Sequence, residues 1–406
     1  MTQLKDDFTV EVFDLDQFFM RSTDTRVSKI ADKSIKDFCE KAETFDFINI
    51  QLEHGTLGVK RHDIVRRFTM IAKAAPALSV TFHTILPSES FDRKEFFRRV
   101  KSFRFQAALN LRKEYTKAHF MNVKIYGLLR RLSATKPVNV IVHTRRDARQ
   151  MKYIHRIPNV YDHPLSYIDQ DTSNRIRREA HLSEFIDTKI ISEGAKIIGV
   201  FGFLSEYKGF DTVVRAMHLL PKNYHLLFFG GLHPQTIKKG EKINAYIRQL
   251  LNEANVDTSI FDRLKVGQIS INLTNEMIPS LLDHPNNLVE RIHFLGAQTD
   301  EDFLRGMAVC DQIVLPYLEV GQSASGPMSM AIEMGARIIA ARNLSFMQFA
   351  KYHPKSIEMF EIGNHVELAE RIKSQSRYPH DKRPMAYNSS SNIKTYIDAN
   401  TRVAKM

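Results

Sequence analysis

The chain has 406 residues, a formal net charge of +12, 43% hydrophobic and 26% charged residues, and two cysteines. Those values fit roughly two folded domains, and they exclude a disordered chain or a disulfide-stapled mini-protein. No apolar run approaches the roughly 20 residues of a membrane-crossing helix, MTQLKDDF does not read as a signal peptide, and Cys39 and Cys310 stand far apart without zinc-ligand spacing, so a reducing, cytoplasmic setting is expected.

Short β-branched or aromatic runs alternate with stretches of helical period, the pattern of α/β domains with largely parallel sheets. Strands are predicted at 8–15, 45–52, 77–85, 138–144, 196–204, 224–231, 291–297, 311–318 and 336–341. These runs are too apolar to face solvent, as is usual for parallel strands covered on both sides, whose ligands bind beyond the carboxyl ends. A boundary is predicted within 156–168, where Pro158, Asn159 and Pro164 cluster. This gives an N-terminal Rossmann-like domain over 1–160, a second over 161–378, and a polar tail over 379–406 ending in a helix able to cross back to the first domain.

Charge is concentrated in one place. Residues 91–136 hold thirteen Lys or Arg against three Asp or Glu, which accounts for most of the net charge. Read as one helical stretch, Phe96, Phe97, Val100, Phe103, Ala107 and Leu111 share a face, with Lys94, Arg98, Lys101 and Arg112 opposite and Arg104 beside them. Interleaved phenylalanine and arginine suit an anionic membrane surface; a core-facing helix with a solvated back is the plainer alternative. Nucleic acid is a poorer match, because no helix-turn-helix, RNP or zinc-finger pattern accompanies the patch.

Two stretches of the second half carry candidate chemistry. Gly202, Lys208 and Gly209 lie between a buried strand and the helical run FDTVVRAMHLL, where glycine lets backbone approach an anion and lysine supplies charge; a plain turn is the alternative. Residues 311–340 read as strand, polar loop, helix and strand. Gln322, Ser323, Ser325 and Gly326 leave room for a ligand at the helix N-terminus, although serine is also an ordinary N-cap.

The ordered succession of Gly202, Lys208, Gly209 and Ala216, then YHLLFFGG, RIHFLGAQTDEDFLRGMAVCDQIVLPY and SGPMSMAIEMGARIIA, resembles the donor-binding domain of family-four retaining glycosyltransferases of the GT-B fold. The resemblance covers about 195–370. In the first half, FDFINIQLEHGTLG, ALSVTFHTILPSES and IVHTRRDARQM resemble the acceptor-side domain and hinge, and TFHT resembles the same segment of phosphatidylinositol mannosyltransferases.

That resemblance implies two Rossmann-like domains whose sheets face a cleft, and transfer of a sugar from a nucleotide-diphosphate donor to a glycan or lipid-linked acceptor. The expected setting is surface-polysaccharide or lipopolysaccharide synthesis on the inner face of the cytoplasmic membrane. The nucleotide sugar enters as substrate, with no cofactor or metal. Lys208 would neutralise the diphosphate, the Gln322–Gly326 loop would hold sugar and diphosphate, and His83 would face the donor sugar. His143, Arg145 and Arg146 would add positive charge near the hinge. Glu53 and His54, after the strand at 45–52, are acceptor-side candidates.

The departures are specific. Phe203 stands where the family has arginine, and Gln322 and Met330 stand where it has its Glu-x7-Glu carboxylates. Glu333 lies three residues past 330, ~300° round a helix, and does not replace it. Glu319 is the nearby carboxylate left as a catalytic candidate, and Arg215 or Arg342 are candidates for the missing cation. The chain also begins at what reads as the family's second strand. A degenerate transferase that binds a nucleotide sugar or serves as a scaffold is therefore the alternative.

Overall fold

Runs rich in Val, Ile, Leu and Phe form parallel strands, the central ones buried along almost their whole length and the edge ones half-buried. The computed structural model describes residues 7–85, 91–188, 191, 193–232, 243–258, 288–319, 321, 324–374 and 386–404, without the side chains of 54 and 118. The chain divides into two compact units. One comprises Met1–Pro164, Gly321–Ala324 and Ser390–Met406, and the other Leu165–Val320 and Ser325–Ser389.

The first unit contains β1 (Ile48–Leu52), β2 (Leu78–Phe82), β3 (Val138–Val142) and β4 (Val160–Asp162), all parallel and in that spatial order. β2 and β3 are buried at every residue, the polar Ser79, Thr81 and Asn139 included, as expected of central strands covered on both faces. Helices α1 (Gln17–Arg21), α2 (Thr25–Lys41) and α3 (Arg61–Ala74) precede the charged segment. Asp16 and Asp24 cap α1 and α2 by accepting from first-turn amides.

The expected strand at 8–15 is absent: these residues are irregular. Phe8 meets Phe47 edge-on at 5.5 Å and Phe13 stacks on Phe38 at 4.5 Å. The segment alternates apolar with acidic residues and anchors through its rings, with no sheet edge taken up.

The basic segment is three helices, α4 (Arg93–Lys101), α5 (Phe105–Ala118) and α6 (Phe120–Leu132). A single face over 91–111 is therefore corrected. Ser102 N–H returns to Arg98 O and Phe103 takes φ +56°, a left-handed turn that ends α4, leaves Phe103 83% exposed and makes Arg104 the N-cap of α5. α6 alone of the three packs firmly, burying Met121, Ile125, Tyr126, Leu128 and Leu129. After β3 come α7 (Arg145–Arg149) and a π-helical turn at Gln150–Ile154.

The second unit has α8 (Gln170–Glu179), β5 (Lys196–Phe201), α9 (Phe210–Met217), β6 (Tyr224–Phe229), α10 (Ala245–Glu253), β7 (Ile292–Phe294), α11 (Asp300–Val309), β8 (Gln312–Leu315), α12 (Gly326–Glu333), β9 (Ile338–Ala341), α13 (Leu344–Phe349), β10 (Ile357–Phe360) and α14 (His365–Lys373). Its six parallel strands lie in the order β10-β9-β8-β5-β6-β7. Separate apolar clusters fill the two faces, one centred on Val213, Val214 and Phe228, the other on Phe201, Phe229, Leu315 and Tyr317. The closing helix α15 (Ser389–Ala404) belongs almost wholly to the first unit, where Asn139 donates to Ala399 O at 2.7 Å.

Candidate active site

Strand order fixes where the second unit can hold a ligand. From β5 the chain winds outward through β6 and β7, then returns to build β8, β9 and β10 on the other side, with β5 and β8 paired in parallel. Loops leaving two such strands diverge, and the crevice beyond their carboxyl ends receives the ligand of a doubly wound sheet. The loop after β5 carries Gly202 and Lys208. The loop after β8 carries Tyr317 and Glu319 and leads to α12.

Two glycines make that crevice possible. Gly202 has φ +114°, and a Cβ on it would come within 3.2 Å of Lys208 Nζ. Gly209 has φ +63°, and a Cβ there would lie 2.3 Å from Pro316 O, so only glycine allows the β5 and β8 loops to approach so closely.

Lys208 is 5% exposed, with Nζ 3.7 Å from the centre of the Tyr317 ring and 5.1 Å from that of Tyr207. Among the described residues no carboxylate pairs with it. Burial without a counter-ion pushes the ammonium down to about 7. The two arginines expected as alternative cations are occupied: Arg215 bridges Asp211 and Glu253, and Arg342 pairs with Glu361.

The N-terminus of α12 is narrower as an anion site than its sequence suggests. Ser325 caps the helix by accepting from Met328 N–H at 3.4 Å, and Ser329 N–H returns to Ser325 O. Pro327 has no N–H. Among these described first-turn groups Gly326 is the one whose N–H has no hydrogen bond within the cap, so most of the positive charge at the switch point rests on Lys208. Gln322 and Ser323 lie outside the described residues.

The carboxylates near this loop accept hydrogen bonds from the backbone. Glu319 Oε2 accepts from Leu344 N–H at 2.7 Å, at the start of α13. Glu333 is buried, accepting from the Ser166 hydroxyl and from Tyr167 N–H at 2.8 Å, and burial raises its pKa to about 7. Met330 packs at the edge of the Phe201 cluster, and Phe203 is exposed.

In the first unit the parallel register aligns the strand ends: Leu52 opposite Phe82, Phe82 opposite Val142, and Val142 opposite Asp162. The next residues, Glu53, His83, His143 and His163, therefore form a row along the carboxyl edge of the sheet. Glu53 accepts from the Thr84 hydroxyl at 3.1 Å, and His83 Nε2 lies 3.0 Å from Gln51 Oε1. His54 opens a 3-10 turn at His54–Leu57, but its side chain lies outside the described residues.

His83 is half-buried, with burial lowering its pKa, and its ring centre is 5.1 Å from that of His143. His143 is buried with Nδ1 3.1 Å from His163 O; burial, with the nearby His83 second, drops its pKa to about 3. It is a neutral ring near physiological pH, so the positive charge expected of it near the hinge is absent. His163 was missed in the sequence; its ring meets Ser391 Oγ of α15 at 2.7 Å. The four strands share a titratable residue directly after the last residue of each observed strand; His83 and His143 fall inside the predicted runs 77–85 and 138–144, and β4 is too short to be recognised as a strand.

Among the described residues there is no group of three or more His, Cys, Asp or Glu placed to hold a metal ion, and no helix long and apolar enough to cross a membrane.

No family model and no curated protein matches the sequence. Solved structures do match. HepE from Anabaena, in complex with UDP and glucose, is similar over 100% of this chain and 87% of its own, at 15% identity and a TM-score of 0.50. A glycosyltransferase from Rickettsia africae matches over 100% and 86%, at 13% identity and a TM-score of 0.53. A UDP-forming alpha,alpha-trehalose-phosphate synthase from Burkholderia xenovorans matches over 94% and 80%, at 10% identity and a TM-score of 0.56. At these identities the likeness is one of fold. Together with two all-parallel sheets, it establishes the two-domain Rossmann-like architecture of the GT-B glycosyltransferase fold.

Proposed function

We propose that the protein is a retaining, family-four, hexosyltransferase-type glycosyltransferase (EC 2.4) that takes a sugar from a nucleotide-diphosphate donor, with UDP-sugars the first to test. The observation that carries this reading is Lys208, a buried ammonium with no carboxylate partner among the described residues, at the switch point between β5 and β8. A buried charge without a partner is costly to maintain, and an incoming diphosphate supplies the counter-ion. In transfer the sugar–phosphate bond breaks and negative charge grows on the leaving diphosphate. Lys208 and Gly326 N–H would stabilise that charge, and His83 would face the sugar from the first domain. The nucleotide sugar is substrate, and the mechanism invokes no resident cofactor.

The acceptor in this reading is a glycan or a lipid-linked glycan of surface-polysaccharide or lipopolysaccharide synthesis, met at an anionic membrane. Phe97, Phe103, Phe105 and Leu109 are exposed on α4, α5 and the turn between them, among Arg98, Lys101 and Arg104, and Phe96 packs between Phe91 and Phe97. Exposed rings within a cationic surface match lipid headgroups over acyl chains. The test is transfer and hydrolysis with UDP-, GDP- and ADP-sugars, alongside binding, for wild type and Lys208→Ala. Turnover that disappears in the variant supports the enzyme.

A second reading, a degenerate GT-B protein acting as a nucleotide-sugar-binding or scaffold partner, is favoured by Met330 and Phe203. Neither supplies the carboxylate or guanidinium of the family pattern. Binding without turnover would select it.

A further inference from the structure

Among the described residues Lys208 has no salt bridge, so another group has to keep its flexible four-carbon side chain in place. Among the described residues two aromatic rings face the ammonium, that of Tyr317 at 3.7 Å and that of Tyr207 further off at 5.1 Å, the two rings edge-on at 6.2 Å. An aromatic face attracts a cation through its quadrupole and needs no negative charge to do so. A carboxylate in the same place would compete with the phosphate for the lysine and would repel it.

Tyr317 is itself fixed from several sides. Its hydroxyl donates to Phe201 O at 3.3 Å and shares a hydrogen bond with Ser325, the cap of α12. Its ring packs on Phe346 at 5.1 Å, and Asn343 donates to Tyr317 O at 3.3 Å. One side chain thus touches the last residue of β5, the lysine and the cap of the ligand-facing helix. These are the three parts that a diphosphate would meet.

We propose that Tyr317 is the positioning residue of the donor site: its ring face holds the Lys208 ammonium in the empty protein and yields it to the diphosphate of the donor. The proposal rests on the donor-site reading above and adds to it a residue whose role is to act through Lys208. Glycine at 202 belongs to the same arrangement, because its φ of +114° suits glycine and a Cβ there would crowd the lysine end at 3.2 Å.

The test is a double-mutant cycle read by UDP, GDP and ADP binding. Tyr317→Leu should weaken the nucleotide that binds wild type best by about tenfold, and Tyr317→Phe, which keeps the ring, by less than about threefold. In a Lys208→Ala background Tyr317→Leu should cost nothing further. The same loss in both backgrounds would overturn the proposal, because Tyr317 would then act only through the fold. Tyr317→Met replaces the leucine variant should the latter fail to fold.

A second readout needs no ligand. The Lys208 Cε protons should show an upfield ring-current shift by NMR that survives in Tyr317→Phe and vanishes in Tyr317→Leu or Tyr317→Met. A normal Lys208 chemical shift in wild type would overturn the contact itself. If the ring-current shift is present while Lys208→Ala leaves binding of all three nucleotides unchanged, the donor-site reading fails although the contact stands. The role of Tyr317 in donor binding then falls with that reading.

Discussion

Arg67 in the first unit and Lys208 in the second are both buried cations, and their surroundings are opposite. Arg67, 1% exposed, donates to Asp32 Oδ1, to Met20 O, to Leu57 O and to Ser28, joining α3 to α1, α2 and the 3-10 turn after β1. Its donors are consumed by groups of the chain. Lys208 has two tyrosine rings and, among the described residues, no carboxylate. A saturated buried cation is a structural fastener, whereas an unsaturated one at a strand switch point is a place for an anion.

The sharpest way to break this contrast is to remove each cation. Arg67→Ala leaves the carbonyls of Met20, Leu57 and Ser28 without this donor and Asp32 with Arg66 alone, and the expected loss is about 2–4 kcal/mol in denaturant unfolding of the full chain. Lys208→Ala removes a charge that two tyrosine rings face and that, among the described residues, no carboxylate offsets, so its loss of stability should be well below that of Arg67→Ala. If both variants lose similar stability, Lys208 is a fastener too and the contrast is wrong.

The next effect is on pH dependence. The Lys208 pKa is lowered by burial to about 7, so the free protein loses the ammonium as pH rises through that value. Affinity for a diphosphate should therefore fall by up to about tenfold per pH unit above 7, equivalent to about 1.4 kcal/mol per unit. Lys208→Arg, which stays charged, should flatten the profile measured by UDP titration between pH 6 and 9. A wild-type profile already flat over that range would mean that the lysine is not the group meeting the phosphate.

Much of this contrast was legible in the sequence, and the reasons for the remainder are physical. Lys208 was found because a lysine in a glycine turn between an apolar strand and a helix is a local pattern. Arg67 could not be found that way: its partners come from residues 20, 28, 32 and 57, and nothing in ARG-rich spacing marks a side chain that will be buried. Eight of the nine predicted strand runs contain an observed strand, because burial on both faces leaves unmistakable apolar runs. The ninth, 8–15, was misread because its phenylalanines pack on Phe38 and Phe47, which sequence spacing does not reveal. β4 and β10 were overlooked as too short or too half-buried to stand out. Tyr317 was passed over because a tyrosine at a strand end reads as core until its ring is seen against the lysine.

Glu333 extends the comparison to an anion. Its carboxyl is satisfied by the Ser166 hydroxyl and Tyr167 N–H, yet burial raises its pKa from the ordinary 4.5 to about 7. The native state therefore holds a proton that the unfolded chain releases. Its contribution to stability is complete below pH ~4.5, declines as pH rises and is lost above about 7, a span worth roughly 3 kcal/mol. Glu333→Gln should remove that decline, so the gap between variant and wild type in thermal unfolding should change steadily from pH 5 to pH 8. A constant gap would show the carboxyl ionised throughout.

The smallest effects belong to the exposed cations of α4 and the turn after it. The Arg98 side chain is 75% exposed and pairs with Glu95, and Lys101 is exposed at the end of the helix. Such groups are hydrated and screened, so each adds a modest attraction toward an anionic surface and almost nothing to folding. Arg98→Glu with Lys101→Glu should weaken flotation with phosphatidylserine vesicles by at least tenfold and leave neutral vesicles and the unfolding midpoint unaffected. Phe103→Ser, at the left-handed turn, should reduce flotation without altering its salt dependence, because it removes apolar insertion and no charge. Flotation indifferent to both changes would assign the patch to solvent and leave Lys208 as the one cation in this comparison with a ligand to find.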